Sequence, residues 1–526
     1  MNKAIVANKT MVVSPHYLAS QAGNTILQKG GNAFDAAVGV SACLAVVYPH
    51  MTGLGGDSFW LTYNAKDKLI RAYNGSGRSG SSVTRDVYKG KTSIPTRGIE
   101  SVITVPGMVD SWDAILKEYG KLSLGDVLEP AIEYAKSGFP FSKDQQDNTV
   151  KNFKMLQRDD DAAAIFLPDG KVPKVNERFI QGNLADTLKE IAKYGRDSFY
   201  KGELGKRIIQ CLKEKGGLLN EADFADHKGR WTDPITTTYR GYQMYQVPPN
   251  SQGFTGLMAL NILENYDLHS ISEGSFEYYH LLVETLKRCF QDRNRYLTDP
   301  DFQSIPLDKL LSKSYAQEMA SSIQLDRAND VQTQSIGSDT AHAAVVDEEG
   351  NAVSFIQSLY FEFGSGVVAG DTGIIMQNRG SFFSLDSSHI NRLEPKKRTF
   401  HTLMPAMAFK EGRPRILYGT QGGEGQPQTQ TIMITRMIDY GMDPQQAISE
   451  PRFVWGRTWG EASQELRIEG RVSLEVIEQL MAAGHLVKRV EQFDGIMGHA
   501  NAIVIDEQGF LHGGVDPRSD GAAIGR

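Results

Sequence analysis

An α+β fold is what this sequence predicts, on three observations. Apolar residues recur at helical spacing through the first third and again in long stretches of the middle. Beyond residue 339 the text shifts to short runs of strand character separated by turn residues. Between the two lies SSIQLDRANDVQTQSIGSD, residues 321–339, polar and nearly free of aromatics, which is the composition of an exposed flexible segment.

The first helix is expected over Tyr17–Gln28 and is stopped by Gly30 and Gly31. Asn32 can cap a second helix that runs through Phe34, Ala37, Val38 and Leu44. A turn at Tyr48, Pro49 and His50 leads into MTGLGGD, residues 51–57, whose glycines permit tight or left-handed backbone, and then into an alternating strand over 58–63. From about 105 to 320 amphipathic helices dominate, Phe276–Tyr296 among them. After the polar segment, 343–346, a turn at 347–351 and 352–359 read as a hairpin with Thr340 at its start. Strands at 406–410 and 415–418, a helix near 430–440 and a strand near 502–505 complete the pattern, without internal repeats or low-complexity tracts.

The 526 residues, 40% of them apolar and 23% charged, allow a large core and more than one domain. A net charge of -7 and a pI near 5.9 argue against nucleic acid and against an anionic membrane surface. The start shows no continuous apolar run followed by a small-residue cleavage site, so cytoplasmic residence is expected. The longest apolar stretch, 36–47, is shorter than the ~20 residues that span a bilayer and reads as a buried core helix. Cys43, Cys211 and Cys289 are odd in number and lack metal-ligand spacing, so neither disulfides nor zinc are expected.

Thr340 at the junction of a polar linker and a strand has two readings. It can simply begin the strand, as β-branched residues do. Alternatively its hydroxyl attacks the Asp339 carbonyl, an N-to-O acyl shift gives an ester, and hydrolysis frees an α-amine on Thr340. With an ordinary pKa near ~8, that amine can act as base for the hydroxyl of the same residue.

Resemblance favours the second reading. The stretch 339–353, DTAHAAVVDEEGNAV, resembles the start of the small subunit in γ-glutamyltransferases, where the matching Thr is processing site and nucleophile. Six further segments resemble that family in the same order: GGNAFDAA (30–37), PHMTGLGG (49–56), KRCFQDRNRY with DPDF (287–302), FGSG (363–366), GTQGG (419–423) and DPRSDGAA (516–523). The resemblance implies a four-layer αββα sandwich of the N-terminal-nucleophile hydrolase type. It also implies maturation into a large subunit, 1–339, and a small one, 340–526, with no cofactor and with any higher assembly left open. Gly422 and Gly423 match the pair whose N–H groups form the oxyanion hole, though by themselves they also fit a plain turn. A phosphate loop is disfavoured, because no Lys-Ser or Lys-Thr follows Gly425. Ser358 matches a Thr whose hydroxyl supports the nucleophile.

The departures from the family narrow the substrate. Where γ-glutamyltransferases carry a carboxylate-gripping Arg, this chain has Ser76, with Arg78 two residues later. The Asn that contacts the glutamyl group becomes Tyr360, the Asp that holds its α-ammonium becomes Phe382, and a neighbouring Gln becomes Arg379. A pair of serines reads as His401 and Thr402. Losing the acidic partner and gaining a cation disfavours an α-ammonium and suits a carboxylate, which a guanidinium binds with two hydrogen bonds. Arg78 and Arg379 are the candidates, structural ion pairs being the other role open to each.

This pattern resembles the branch that contains oxamate amidohydrolase and glutathione hydrolase-like proteins. The expectation is a self-processed amidohydrolase acting on small acidic amides, with Thr340, Ser358, Gly422 and Gly423 catalytic and Arg379, Arg78, Tyr360, His401 and Thr402 binding substrate. Glutathione hydrolysis or transpeptidation is the alternative. A non-catalytic binding protein is disfavoured, because Thr340, the linker and the glycine pair all remain. His50 and His342 lack partners at metal spacing and are expected to be structural.

Overall fold

Alternation along each strand decides the architecture. In Asp339–Val346, Ala341, Ala343 and Val345 pack into the core under the N-terminal helices, whereas Ala344 and Val346 turn to a second core between two sheets. In Ala406–Lys410, Ala406 and Ala408 face a third core under the other helices, whereas Met407 and Phe409 join the inter-sheet core. Helices, sheet, sheet and helices therefore stack as the expected αββα sandwich. The computed structural model describes residues 3–329, 339–456 and 463–526. Residues 330–338 of the polar segment expected at 321–339 lie outside the described residues.

The first sheet has seven strands in the order Ala522–Gly525, Met11–Ser14, Asp339–Val346, Ala352–Tyr360, Asp57–Asn64, Leu69–Asn74 and Arg230–Thr232. The second has Ile5–Ala7, Leu511–Val515, Ala500–Ile505, Arg413–Thr420, Ala406–Lys410, Tyr242–Gln246 and Ile235–Tyr239. Every neighbouring pair in the two sheets is antiparallel. Tyr17–Gln28 and Ala33–Val47 cover the first sheet, and Gly253–Leu263, Phe276–Tyr296 and Gly425–Ile438 the second. All fifteen residues of Ala33–Val47 are buried, and Asn32 and Asp35 close its start as a reciprocal capping box.

Two features of the sheets go beyond the local pattern of the sequence. Helices dominate the middle of the chain, and three short strands lie among them: Arg230–Thr232 edges the first sheet, and Ile235–Tyr239 and Tyr242–Gln246 form a hairpin in the second. Their thr- and tyr-rich text suits a pleated, half-buried edge but has no apolar alternation strong enough to stand out. The segments 1–339 and 340–526 are interleaved in one sheet. The strands at 339–346 and 352–360 lie between 11–14 and 57–64, so the two segments share one ladder. A cut at Asp339 would leave halves held together by strand pairing.

Cys43, Cys211 and Cys289 are free thiols. Among the described residues no helix is long and apolar enough to cross a membrane.

Candidate active site

Thr340 is completely buried near the start of the Asp339–Val346 strand, where the pairing with Ala352–Tyr360 slips between Asp339 and Ala341. A bulge of this kind re-aims a side chain out of the regular ladder. Gln426 Nε2, from the Gly425–Ile438 helix on the other sheet, donates to Thr340 Oγ1 at 3.3 Å. The candidate nucleophile thus sits where the two sheets meet.

Across the ladder stand Ser358 and, directly opposite it on Asp57–Asn64, Asp57. Ser358 Oγ accepts from Tyr360 N at 2.7 Å and from Arg379 Nη2 at 3.2 Å. Tyr360 pays for this bend with a positive φ of 90°, a region unfavourable for an aromatic residue and found where a site constrains the backbone. Its ring stacks on Phe382, 4.0 Å between centroids, and the Arg379 guanidinium lies 4.7 Å from the Tyr360 ring and 5.2 Å from that of Phe382.

Arg379 has no solvent exposure, and its Nε and Nη1 have no hydrogen-bond partner among the described residues. Burial pulls its pKa down to about 10, with Asp57 and Tyr360 acting the other way, so it stays charged at neutral pH. Asp57 Oδ1 accepts from the N–H groups of Gly77 and Gly107, at 3.2 and 3.0 Å. Its Oδ2 lies 3.1 Å from His401 Nε2, without the alignment of a hydrogen bond. His401 is pushed down to about 4, by burial first and by Arg379 second, against Asp57, so it is neutral at physiological pH. Arg379, His401 and Asp57 therefore form one buried cluster with polar atoms left over, beside Ser358.

The glycine pair occupies backbone that favours glycine: φ is +121° at Gly422 and +51° at Gly423. Gly425 N donates to Gly422 O at 2.6 Å and Gln426 N to Gly423 O at 3.2 Å, fixing the turn into the helix. Neither the Gly422 nor the Gly423 N–H donates to another described residue. Gln252 Nε2 braces the turn, donating to Gly423 O at 3.0 Å and to Thr402 O at 2.9 Å, and is itself held by Arg293, which also pairs with Glu424 at 2.6 Å. Thr402 contributes its carbonyl to this brace, a structural contact that its place in the substrate-binding set did not anticipate.

Arg78 is not brought to the cluster. Its guanidinium pairs with Asp299 at 3.2 Å and Asp301 at 2.5 Å and donates to Lys396 O at 2.8 Å, the structural ion-pair role open to it from the sequence. His50 contacts Asp144 at 3.1 Å, and His342 contacts Ser354 Oγ at 3.0 Å under the close approach of Gly419. Both are buried parts of the scaffold. Among the described residues no three or more His, Cys, Asp or Glu side chains converge as a metal site.

Sequence reasoning missed Asp57, Gln252 and Gln426. Asp57 ends the glycine-rich run and shares its strand face with Phe59 and Leu61, so its inward direction was readable from strand parity. Nothing local marks either glutamine, since each acts across a gap between distant segments.

Residues 19–526 match the family model for gamma-glutamyltranspeptidase. The chain is 64% identical to the glutathione hydrolase-like YwrD proenzyme of Bacillus subtilis, over 100% of both chains. It is 40% identical to the oxamate amidohydrolase proenzyme of Klebsiella pneumoniae, again over 100% of both. The crystal structure of a cephalosporin acylase from Bacillus halodurans matches with a TM-score of 0.94 at 35% identity, covering 100% of this chain and 97% of that one. These matches span the fold, both sheets and the candidate site: the chain belongs to the gamma-glutamyltranspeptidase family of self-processing hydrolase and transpeptidase proenzymes.

Proposed function

We propose that the chain is cut between Asp339 and Thr340 and that Thr340 then hydrolyses a small acid amide whose free carboxylate is held by Arg379. The observation that carries this reading is the buried Arg379 guanidinium, beside Ser358 and with two nitrogens unpartnered among the described residues. A desolvated cation is costly until an anion pairs with it, so an incoming carboxylate would complete the site.

In self-cleavage, Thr340 Oγ1 attacks the Asp339 carbonyl carbon, the peptide C–N bond breaks, and water hydrolyses the resulting ester. Asp339 leaves as a carboxylic acid and Thr340 gains its α-amine. In turnover the amine takes the hydroxyl proton as Oγ1 bonds to the substrate carbonyl carbon. The carbonyl oxygen gains negative charge, which the unengaged N–H groups of Gly422 and Gly423 can stabilise. Collapse breaks the C–N bond, the proton passes to the leaving amine, and water releases the acid by the same steps in reverse order.

Asp57 favours a second reading. Among the described residues its Oδ2 has no hydrogen-bond donor, so Arg379 and Asp57 together could hold the carboxylate and ammonium of a γ-glutamyl group. His401 stands 3.1 Å from that oxygen and occupies the approach, which ranks this reading second. A screen of the purified protein on oxamate, related small amides, glutathione and a γ-glutamyl anilide separates the two. Turnover of γ-glutamyl compounds with none of small acid amides would overturn the first reading.

A further inference from the structure

We infer that Gln426 is a further catalytic residue, whose side-chain amide grips the nucleophile at two points: Nε2 on Thr340 Oγ1, and Oε1 on the α-amine that self-cleavage releases. Gln426 is completely buried, and Nε2 already donates to Oγ1 at 3.3 Å. Its Oε1 is equally buried and has no hydrogen-bond partner among the described residues. Buried amide oxygens are nearly always paired, so an orphan of this kind calls for a group that arrives later.

Self-cleavage supplies one such group. A threonine presents Oγ1 and N on neighbouring carbons, and a primary amide presents its donor and acceptor side by side. An amide that donates to Oγ1 therefore places its acceptor toward the nitrogen of the same residue. In the uncut chain that nitrogen is a peptide N–H with one hydrogen. Cleavage turns it into an amine with additional hydrogens, one of which can go to Oε1 while the lone pair faces the hydroxyl. The inference rests on Thr340 being the nucleophile.

Two consequences follow for catalysis. A donor on Oγ1 strengthens as that oxygen takes on negative charge, so its effect falls on the transition state rather than on substrate binding. Gln426 also closes the glycine turn through its backbone N, which donates to Gly423 O. One residue thereby couples the nucleophile to the oxyanion turn, and a shift of the helix would misalign both.

The test uses the full chain with Gln426→Met, similar in volume but without the amide, and Gln426→Glu, which keeps an acceptor and adds a charge. Self-cleavage half-time, kcat, KM, the pH profile and the melting temperature are measured, with the fastest amide of the screen as substrate. In Gln426→Met, self-cleavage slows and kcat falls by about ten- to hundredfold, while KM and melting temperature stay near those of the parent. In Gln426→Glu, the carboxylate stabilises the α-ammonium, so the acid limb of the kcat/KM profile moves to higher pH. Parental turnover in Gln426→Met, or an unmoved acid limb in Gln426→Glu, overturns the inference. Activity surviving in Thr340→Ala would instead remove the nucleophile reading itself.

Discussion

Ser358 stands directly opposite Asp57 in the pairing of their two strands, and the buried guanidinium of Arg379 serves both, donating to Ser358 Oγ and drawing electrostatic support from Asp57. Opposed residues of an antiparallel pair share a face, so the register alone puts a hydroxyl and a carboxylate next to one cation. Thr340 lies on the next strand of the same ladder. The chemistry assigned to this cluster can be tested residue by residue.

Thr340 is checked by gel and by N-terminal sequencing. The parent should yield two pieces, the smaller beginning Thr-Ala-His, whereas Thr340→Ala should remain one inactive chain. Thr340→Ser retains the hydroxyl and should mature slowly. An active parent that stays uncut would end the proposed mechanism.

Loss of Arg379 should separate binding from maturation. Arg379→Gln is expected to lower kcat/KM for an acid amide by about one to two orders of magnitude, since a charge-assisted contact contributes roughly 1.5 to 3 kcal/mol. Self-cleavage should be unaffected, because no substrate is bound in that step. Arg379→Met should melt no lower than the parent, because replacing an under-paired buried cation by an apolar side chain is often neutral or stabilising. A marked fall in melting temperature would show that the cation holds the fold instead.

Gly422→Ala tests the oxyanion turn. At φ +121° an alanine is strained, whereas the nearest atom its Cβ would meet is an acceptable 3.6 Å away, so the damage is to backbone direction and not to packing. Turning one N–H aside should cost about 10²- to 10³-fold in kcat with a much smaller change in KM. Parental kcat would remove Gly422 from the oxyanion hole.

Stability should fall on mild acidification. Burial lowers His16 and His342 from 6.5 to about 3 and His401 to about 4. Between those values and 6.5 the unfolded chain binds protons that the folded chain refuses. The contribution of these groups is therefore complete above about pH 6.5 and is lost as pH falls toward their folded values, by up to roughly 1.4 kcal/mol per pH unit for each histidine. Urea midpoints at pH 7.5 and 4.5 measure the drop, and His342→Gln should make it shallower. Equal midpoints in the parent would contradict the buried neutral state.

How much of this was legible in the sequence depends on how far each signal reaches along the chain. The helices at 17–28, 33–47 and 276–296, the hairpin that begins at Thr340 and the glycine pair at 422–423 follow from caps, periodicity and turn residues within a few positions of one another. Arg379 and Arg78 could not be told apart in that way, since both are arginines near glycines. Only the fold decided that Arg78 meets Asp299 and Asp301 while Arg379 is enclosed by Tyr360 and Phe382. The same holds for Gln426, which reaches Thr340 across 86 positions of chain, and for Asp57 and His401. Local propensity and patterning set which residues form each element and which face is apolar. Which polar groups meet in the water-free space between two sheets depends on strand register and on how the layers stack, and those are properties of the assembled core.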